Sequence, residues 1–223
     1  MAFILLGCII IALVFIPNVW VKRVLEKYSL PEDRYAGTGS ELARYLANTC
    51  LAFKGITELE KSTISNRSTK LFTLSGIKRA SRALLHKANK DKITTQEKEI
   101  ARNFWDAVAG HIPDWERARE RTVATADLRQ NFVHSHGVAL HALGVLGANL
   151  LIDHPKNWKN YLKKLSNLDW SRSNTDLWEG RALVHGRISK STTNVLLTSN
   201  LIKNHLGLPL KPEEAKFEKL IIK

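Results

Sequence analysis

Cysteine is scarce in this sequence, and that scarcity excludes two classes of protein. The 223 residues contain only Cys8 and Cys50. Two cysteines can form neither the multiple disulfides of small secreted domains nor a zinc site built from cysteine pairs. No histidine is followed by glutamate, so the His-Glu-x-x-His helix of zinc proteases is absent, and so is a nucleotide-binding P-loop. These absences give no sign of an enzyme, and we expect no cofactor.

Acidic residues are also scarce relative to basic ones. The chain has 34 Lys/Arg and 21 Asp/Glu, a net charge of +13, and a pI near 9.9. Residues 47–223 hold 29 of these basic and 17 of these acidic residues, a net charge of +12. This excess favours a polyanionic partner, either nucleic acid or an anionic membrane surface.

A long apolar run lies near the N-terminus. Residues 2–21 form twenty predominantly apolar positions, and twenty helical residues span roughly 30 Å, the thickness of a bilayer core. Lys22, Arg23 and Lys27 follow the run, so the positive-inside rule places the rest of the chain in the cytoplasm. We therefore predict a transmembrane helix that tethers a cytoplasmic domain to the inner membrane. A buried hydrophobic segment is the alternative.

Basic residues are concentrated between Lys61 and Lys92, where nine Lys/Arg accompany one acid, Asp91. Part of this stretch has the pattern of an amphipathic helix with a basic face, which suits contacts to phosphate groups. A solvated charged face is the alternative. The predicted nucleic-acid contacts are Arg67, Lys70, Lys78, Arg79 and Arg82, with Arg129, Arg172, Arg181 and Arg187 as secondary candidates.

The longest helix-compatible stretch after the apolar run extends from Ala126 to Leu150, and its apolar positions predict one buried helix. Its histidines, His134, His136 and His141, are sufficient in number for a zinc site. A continuous helix, however, places His136 roughly 140–160° around the axis from the other two. The three could bind one metal only if the helix breaks near Gly137. We therefore predict hydrogen bonds to packed neighbours for His134 and His141, with a metal-dependent hydrolase that uses all three histidines as the alternative.

The remaining patterns predict a mainly α fold: one helical domain around a long buried helix, with few short strands, after the transmembrane candidate. Only residues 71–74 (LFTL) and 182–188 (ALVHGRI) have strand character. Residues 168–188 are rich in Ser, Asn, Asp and Gly, which predicts a structured loop that Trp170 and Trp178 hold to the core. Gly137 and Gly144 lie two turns apart on one face, which indicates close approach by another element.

Residues 1–46 resemble the start of bacterial neutral zinc metallopeptidases. The resemblance depends on the apolar run, on WVKRVL at residues 20–25 and on GTG followed by ELAR at residues 37–44. It implies a membrane-anchored first domain, residues 1–46. It implies no protease activity, because the catalytic helix motif of that family is missing.

Residues from about 49 to 223 resemble the C-terminal part of the DNA sulfur modification protein DndB family, a DGQHR-domain family. Matching segments occur in family order at residues 62–77, 129–144, 168–182 and 192–208. The resemblance implies a second domain, residues 47–223, that binds DNA and regulates phosphorothioate modification, with other sulfur-modification proteins as partners. The Asp-Gly-Gln-His-Arg motif itself is missing, so chemistry attributed to it is not expected here. A membrane-anchored peptidase-related fragment without catalytic residues is the alternative.

Overall fold

The computed structural model describes residues 38–219 and residue 221, and this part of the chain is mainly helical, as predicted. Its α-helices are α1 (Gly39–Thr49), α2 (Leu74–Leu84), α3 (Thr95–Ala109), α4 (Pro113–Arg119), α5 (Thr125–Asn131), α6 (Gly137–Asp153), α7 (Trp158–Leu162), α8 (Thr175–Trp178), α9 (Thr192–Leu206) and α10 (Pro212–Glu218). Its short strands are β1 (Thr57–Glu58), β2 (Phe72–Thr73), β3 (Leu183–Val184) and β4 (Arg187–Ile188), and 3-10 helices occupy Val133–Ser135 and Lys163–Asn167.

Helix α6 forms the centre of this fold and packs against α2 and α9. It is apolar on nearly all sides, and such a helix has to be buried. Gly144 permits the closest contact, because a Cβ atom there would lie 2.2 Å from the carbonyl oxygen of Ala80 in α2. Close approach is therefore confirmed at Gly144. It is not found at Gly137, where an added Cβ would meet no described atom within 4 Å.

The helix predicted over Ala126–Leu150 is not continuous. It divides into α5, a 3-10 turn and α6, and the backbone is extended at Phe132 (φ −129°, ψ 138°) and at His136 (φ −115°, ψ 153°). The prediction of one uninterrupted helix is therefore wrong at residues 132–136. Helix α6 itself is the long buried helix that the apolar pattern predicts.

Pairing with a distant segment is the physical cause of this break. The Val133 N–H donates to the Trp170 carbonyl at 2.9 Å, and the Arg172 N–H donates to the Asn131 carbonyl at 2.8 Å. The two segments run antiparallel at this point. Because the backbone groups at the break find partners in another segment, the loss of helical hydrogen bonds is offset. Local periodicity contains no information about such a partner.

The strands form two small pairs. Strands β1 and β2 are parallel, with Thr57 opposite Phe72, and strands β3 and β4 form an antiparallel hairpin, with Leu183 opposite Ile188. Strands β2, β3 and β4 lie in the two segments predicted to have strand character. Residues 168–188 are held to the core as predicted, because the rings of Trp170 and Trp178 are buried and stack 5.4 Å apart.

Helix α1 is the first described element, and it packs against α2 and α3. It begins after Thr38, whose Oγ1 accepts a hydrogen bond from the Glu41 N–H at 3.1 Å. Because α1 ends at Thr49, it crosses the predicted boundary between residues 46 and 47. The predicted transmembrane helix at residues 2–21 lies outside the described residues. Within residues 38–219, no helix combines the length and the apolar character that crossing a bilayer requires.

Helix α2 has one exposed basic residue, Arg79, whereas Lys78 is half-buried and Arg82 is buried. Its side chain is 4% exposed, and its guanidinium donates to the Asp91 carbonyl at 3.1 Å. A Cβ atom at Gly39 would lie 2.5 Å from Arg82 Nη1, so the start of α1 covers this arginine. The expectation that Arg82 belongs to an exposed basic face is therefore wrong. The pattern of α2 alone could not show which side α1 covers.

Candidate nucleic-acid interface

A cleft of about 830 Å³ lies at the N-terminal ends of α2 and α6. Its walls come from residues 62–79, from residues 126–141, and from the region where α9 begins. Arg79, Arg129 and Lys190 line it, and we therefore term it the basic cleft. Within the described part of the chain, no aspartate or glutamate belongs to its lining.

Local sequence determines where α2 begins beside the cleft, whereas the chain break at residues 132–136 determines where α6 begins. Thr73 caps α2, because its Oγ1 accepts a hydrogen bond from the Gly76 N–H at 3.2 Å. Helix α6 begins directly after the extended His136, whose side chain does not cap it. Among the described contacts, the N–H groups of Gly137 and Val138 have no acceptor. A helix N-terminus has partial positive charge, so the start of α6 adds to the basic character of the cleft.

Arg129 lines the cleft and also shapes one of its walls. Its guanidinium donates to the backbone carbonyls of Ser65 (3.2 Å), Asn66 (3.0 Å), Ser68 (3.3 Å) and Lys70. These bonds hold the loop of residues 65–70 against α5. Burial lowers the pKa of Arg129 below its ordinary value. Backbone carbonyl groups occupy the hydrogen-bond donors of Arg129. Its main contribution to the cleft is therefore its positive charge.

Two of the three histidines line the cleft. The Nε2 atom of His136 lies 2.7 Å from the Arg129 carbonyl oxygen. A carbonyl only accepts, so Nε2 has the proton and Nδ1 is left as an acceptor. Burial lowers the pKa of His136 to about 4, which leaves the ring neutral at pH 7. The pKa of His141 is also below its ordinary value, first because of burial and then because of the charge on Arg79.

A second depression of about 330 Å³ borders the same loop. Arg67 and Arg121 line it, and it shares Asn66 and Ala126 with the basic cleft. As far as the structure describes the chain, no acidic residue lines this depression either. The two depressions therefore lie side by side. We term their exposed cations the basic face: Arg67, Arg79, Arg121 and Lys190.

The predicted phosphate contacts have different environments. Arg67 and Arg79 are exposed at the two depressions, and Arg187 is exposed on β4. Lys70 Nζ donates to the Gly55 carbonyl at 2.8 Å, and Lys78 Nζ lies 3.1 Å from Ser40 Oγ. These two lysines are partly occupied by contacts within the fold.

Two further candidates make structural contacts. Arg172 donates to the carbonyls of Gln130 (3.1 Å) and Gly186 (3.0 Å), and it thereby connects the break before α6 to the β3–β4 hairpin. Arg181 forms a bidentate pair with the Glu218 carboxylate at 2.9 and 2.7 Å. Together with the buried Arg82, these residues are less accessible to phosphate groups than Arg67 and Arg79.

His134 belongs to a separate buried cluster. Its Nε2 lies 3.2 Å from the Asp114 carboxylate, and its Nδ1 accepts a hydrogen bond from Trp115 Nε1 at 3.3 Å. The hydrogen bond from His134 lowers the pKa of Asp114. Among residues 38–219 and 221, no group of three or more His, Cys, Asp or Glu residues could hold a metal ion. His134 does not line the cleft that His136 and His141 share.

Arg121 and Lys190 are residues of the basic face that sequence reasoning missed. Arg121 follows α4 in left-handed backbone (φ 61°), and Lys190 directly precedes Ser191, the cap of α9. The Ser191 cap marks the start of a helix in the sequence. Nothing local to it shows that this start lies beside α2 and α6.

Comparison with known proteins identifies a family. Residues 34–209, most of the chain, match the family model described as DndB: DNA-sulfur modification-associated. No curated protein and no solved structure matches the chain. The resemblance to the DndB family, expected over residues 49–223, is confirmed up to residue 209, and the match begins earlier than expected, at residue 34. Nothing in these comparisons supports the peptidase-related alternative.

Proposed function

We propose that this chain, which belongs to the DndB family of DNA-sulfur modification-associated proteins, binds the DNA backbone through its basic face and has a regulatory role. One observation carries the proposal. Two adjacent depressions have four exposed cations, and within the described residues their linings contain no acid.

Electrostatics explains why such a surface suits DNA. Ordinary protein surfaces mix charges of both signs, so a depression without acids attracts polyanions. A cation that contacts a phosphate releases counterions from the DNA, and this release favours binding at low salt. Arginine also matches phosphate geometry with two parallel hydrogen bonds. The basic face therefore supplies affinity for DNA of any sequence.

The same proposal includes two further partners. Membership in the DndB family supports association with other proteins of DNA sulfur modification. The apolar run at residues 2–21, followed by Lys22 and Arg23, supports a tether to the inner membrane with the basic face in the cytoplasm. Such a tether would restrict regulation to DNA close to the membrane.

The test of DNA binding measures fluorescence anisotropy of labelled duplexes with the full chain across a salt series. One variant combines Arg67→Ala, Arg79→Ala and Arg121→Asn, because asparagine tolerates the left-handed backbone at residue 121. We expect weaker binding to every duplex. The slope of log affinity against log salt should become shallower by about 0.9 for each phosphate that the variant no longer neutralises.

A matched control combines Lys156→Ala, Lys159→Ala and Lys163→Ala, which removes the same charge from exposed positions. These lysines follow the far end of α6, a helix of 17 residues that is about 25 Å long. Affinity and salt slope should remain close to wild type. If both triple variants lose affinity equally, binding depends on net charge alone, and the basic face is rejected as the site. Circular dichroism verifies that both variants fold.

A further inference from the structure

We infer that the basic cleft binds one nucleotide unit, with its phosphate between Arg79 and Lys190 and its base against the apolar part of the lining. This inference goes beyond binding of the DNA backbone. It does not require the exposed arginines outside the cleft, Arg67 and Arg121, to contact DNA.

The size of the cleft suits a single nucleotide. Its volume of about 830 Å³ lies within the range of roughly 300–1,000 Å³ that is usual for small-molecule sites. A double helix is too wide to enter such a cleft. A duplex can contact its rim, whereas a separate nucleotide or an unstacked base can enter it.

The positive charge of the cleft comes from more than one element. Arg79 belongs to α2 and Lys190 precedes α9, and neither has an ion-pair partner among the described residues. Beyond the effect of burial, Arg79 lowers the pKa of His141, and Arg172 and Lys190 lower that of His136. These cations therefore act on the lining, and no described carboxylate in the lining offsets them. They would attract an anionic group into the cleft.

The start of α6 provides further donors in the lining of the cleft. A Cβ atom at Gly137 would meet no described atom within 4 Å, so the backbone there faces open space. The N–H groups of Gly137 and Val138 have no acceptor in the described part of the chain. Together with the two cations, these donors suit a phosphate.

The rest of the lining suits a base and sugar more than a second phosphate. Ile64 gives it partly exposed apolar surface beside the buried Val138 and Val195, and Gln130 adds a side-chain amide. The free Nδ1 of His136 is an acceptor for an N–H group of a base. Inorganic phosphate would leave this apolar part unfilled. A nucleotide combines the anion, the flat ring and the polar edge that these groups fit.

The test is a calorimetric titration of the full chain with dAMP and dCMP, compared with deoxyadenosine and inorganic phosphate. We expect a monophosphate to bind, and both the nucleoside and phosphate to bind at least about tenfold more weakly. The double variant Arg79→Ala, Lys190→Ala should weaken monophosphate binding by at least about tenfold. Arg67→Ala with Arg121→Asn removes the same charge outside the cleft, and it should leave monophosphate affinity unchanged.

A short single-stranded oligodeoxynucleotide distinguishes the two sources of a nucleotide. If DNA supplies it, the oligonucleotide binds more tightly than the monophosphate and loses affinity in the Arg79→Ala, Lys190→Ala variant. If a free nucleotide is the ligand, the monophosphate binds at least as tightly as the oligonucleotide. Both results support the inference. Equal affinity for inorganic phosphate and a nucleoside monophosphate overturns the inference. It is also overturned if monophosphates do not bind and the Arg79→Ala, Lys190→Ala variant binds the oligonucleotide as tightly as the wild type.

The duplex measurements separate this inference from the proposed function. Duplex binding that persists while no nucleotide binds the cleft would reject the inference alone. Nucleotide binding without any duplex binding would reject DNA binding through the basic face and leave the inference standing.

Discussion

At the scale of the single residue, His136 connects the chain break before α6 to the wall of the basic cleft. Its Nε2 donates to the Arg129 carbonyl at 2.7 Å. Its backbone is extended, and α6 begins at the next residue. Burial lowers its pKa to about 4, against an ordinary value of 6.5. The folded protein therefore contains the neutral ring.

We expect the free energy of unfolding to decrease as the pH falls from 6.5 to about 4. In this window the unfolded chain binds a proton at His136 and the folded chain does not, so acid favours unfolding. The difference between the two pKa values corresponds to roughly 3 kcal/mol. His136→Gln retains a donor toward the Arg129 carbonyl and cannot titrate. Its urea denaturation midpoint should therefore vary less with pH in this window.

The control for this measurement is His185→Asn. His185 is exposed and has left-handed backbone (φ 50°), which asparagine tolerates. This variant should keep the pH dependence of the wild type. The hydrogen bond from His134 is the main cause that lowers the pKa of Asp114. The free energy of unfolding should therefore decrease further at still lower pH, where this carboxylate is protonated. Wild-type stability that stays constant between pH 6.5 and 4 would contradict a buried neutral His136.

At the scale of the element, the contact between α2 and α6 holds two walls of the cleft together. Gly144 brings the helix backbones into contact, because the atom nearest to an added Cβ is the Ala80 carbonyl oxygen. Gly147 makes a similar contact to the ring of Phe104, whose side chain can move more easily than a backbone. The position of Arg79 relative to His141 therefore depends on a glycine that does not line the cleft.

We expect Gly144→Ala to lower the free energy of unfolding by about 1–3 kcal/mol or more, because its Cβ overlaps backbone atoms. Urea denaturation measures the change. Gly137→Ala is the matched control in the same helix, and its Cβ meets no described atom within 4 Å. Alanine there should be neutral or slightly stabilising, since its helix propensity exceeds that of glycine by roughly 1 kcal/mol. Equal losses in the two variants would argue against a specific helix contact.

At the scale of the whole molecule, residues 2–21 and the basic face predict two independent kinds of association. We expect the full chain to remain in the membrane fraction of bacterial cells after a high-salt wash, because insertion of an apolar helix is insensitive to screening. Deletion of residues 2–21 should release the protein. The control is the triple variant of Arg67, Arg79 and Arg121, which should remain bound. Release of the unaltered chain by salt alone would show that its attachment is electrostatic.

The candidate site could be predicted only in part. The excess of basic residues from Lys61 to Lys92 indicated Arg67 and Arg79, which are exposed at the two depressions, because a long stretch with one acid is a local property of the sequence. The same reasoning included Arg82, which α1 covers, and it omitted Arg121 and Lys190. Whether an arginine is covered, or a lysine lies beside a distant helix, depends on contacts between elements that periodicity does not encode.

The sequence by itself determined the helical character of the protein and its basic surplus. Apolar spacing required a buried helix at α6, and the side chain of Ser191 caps the start of α9. Only the tertiary structure decided that α5 and α6 are separate, because the groups that replace the missing helical bonds come from Trp170 and Arg172. That break places His136 and the start of α6 at the cleft. The ends of α2, α6 and α9 meet there through packing, which acts between segments that are distant in the chain.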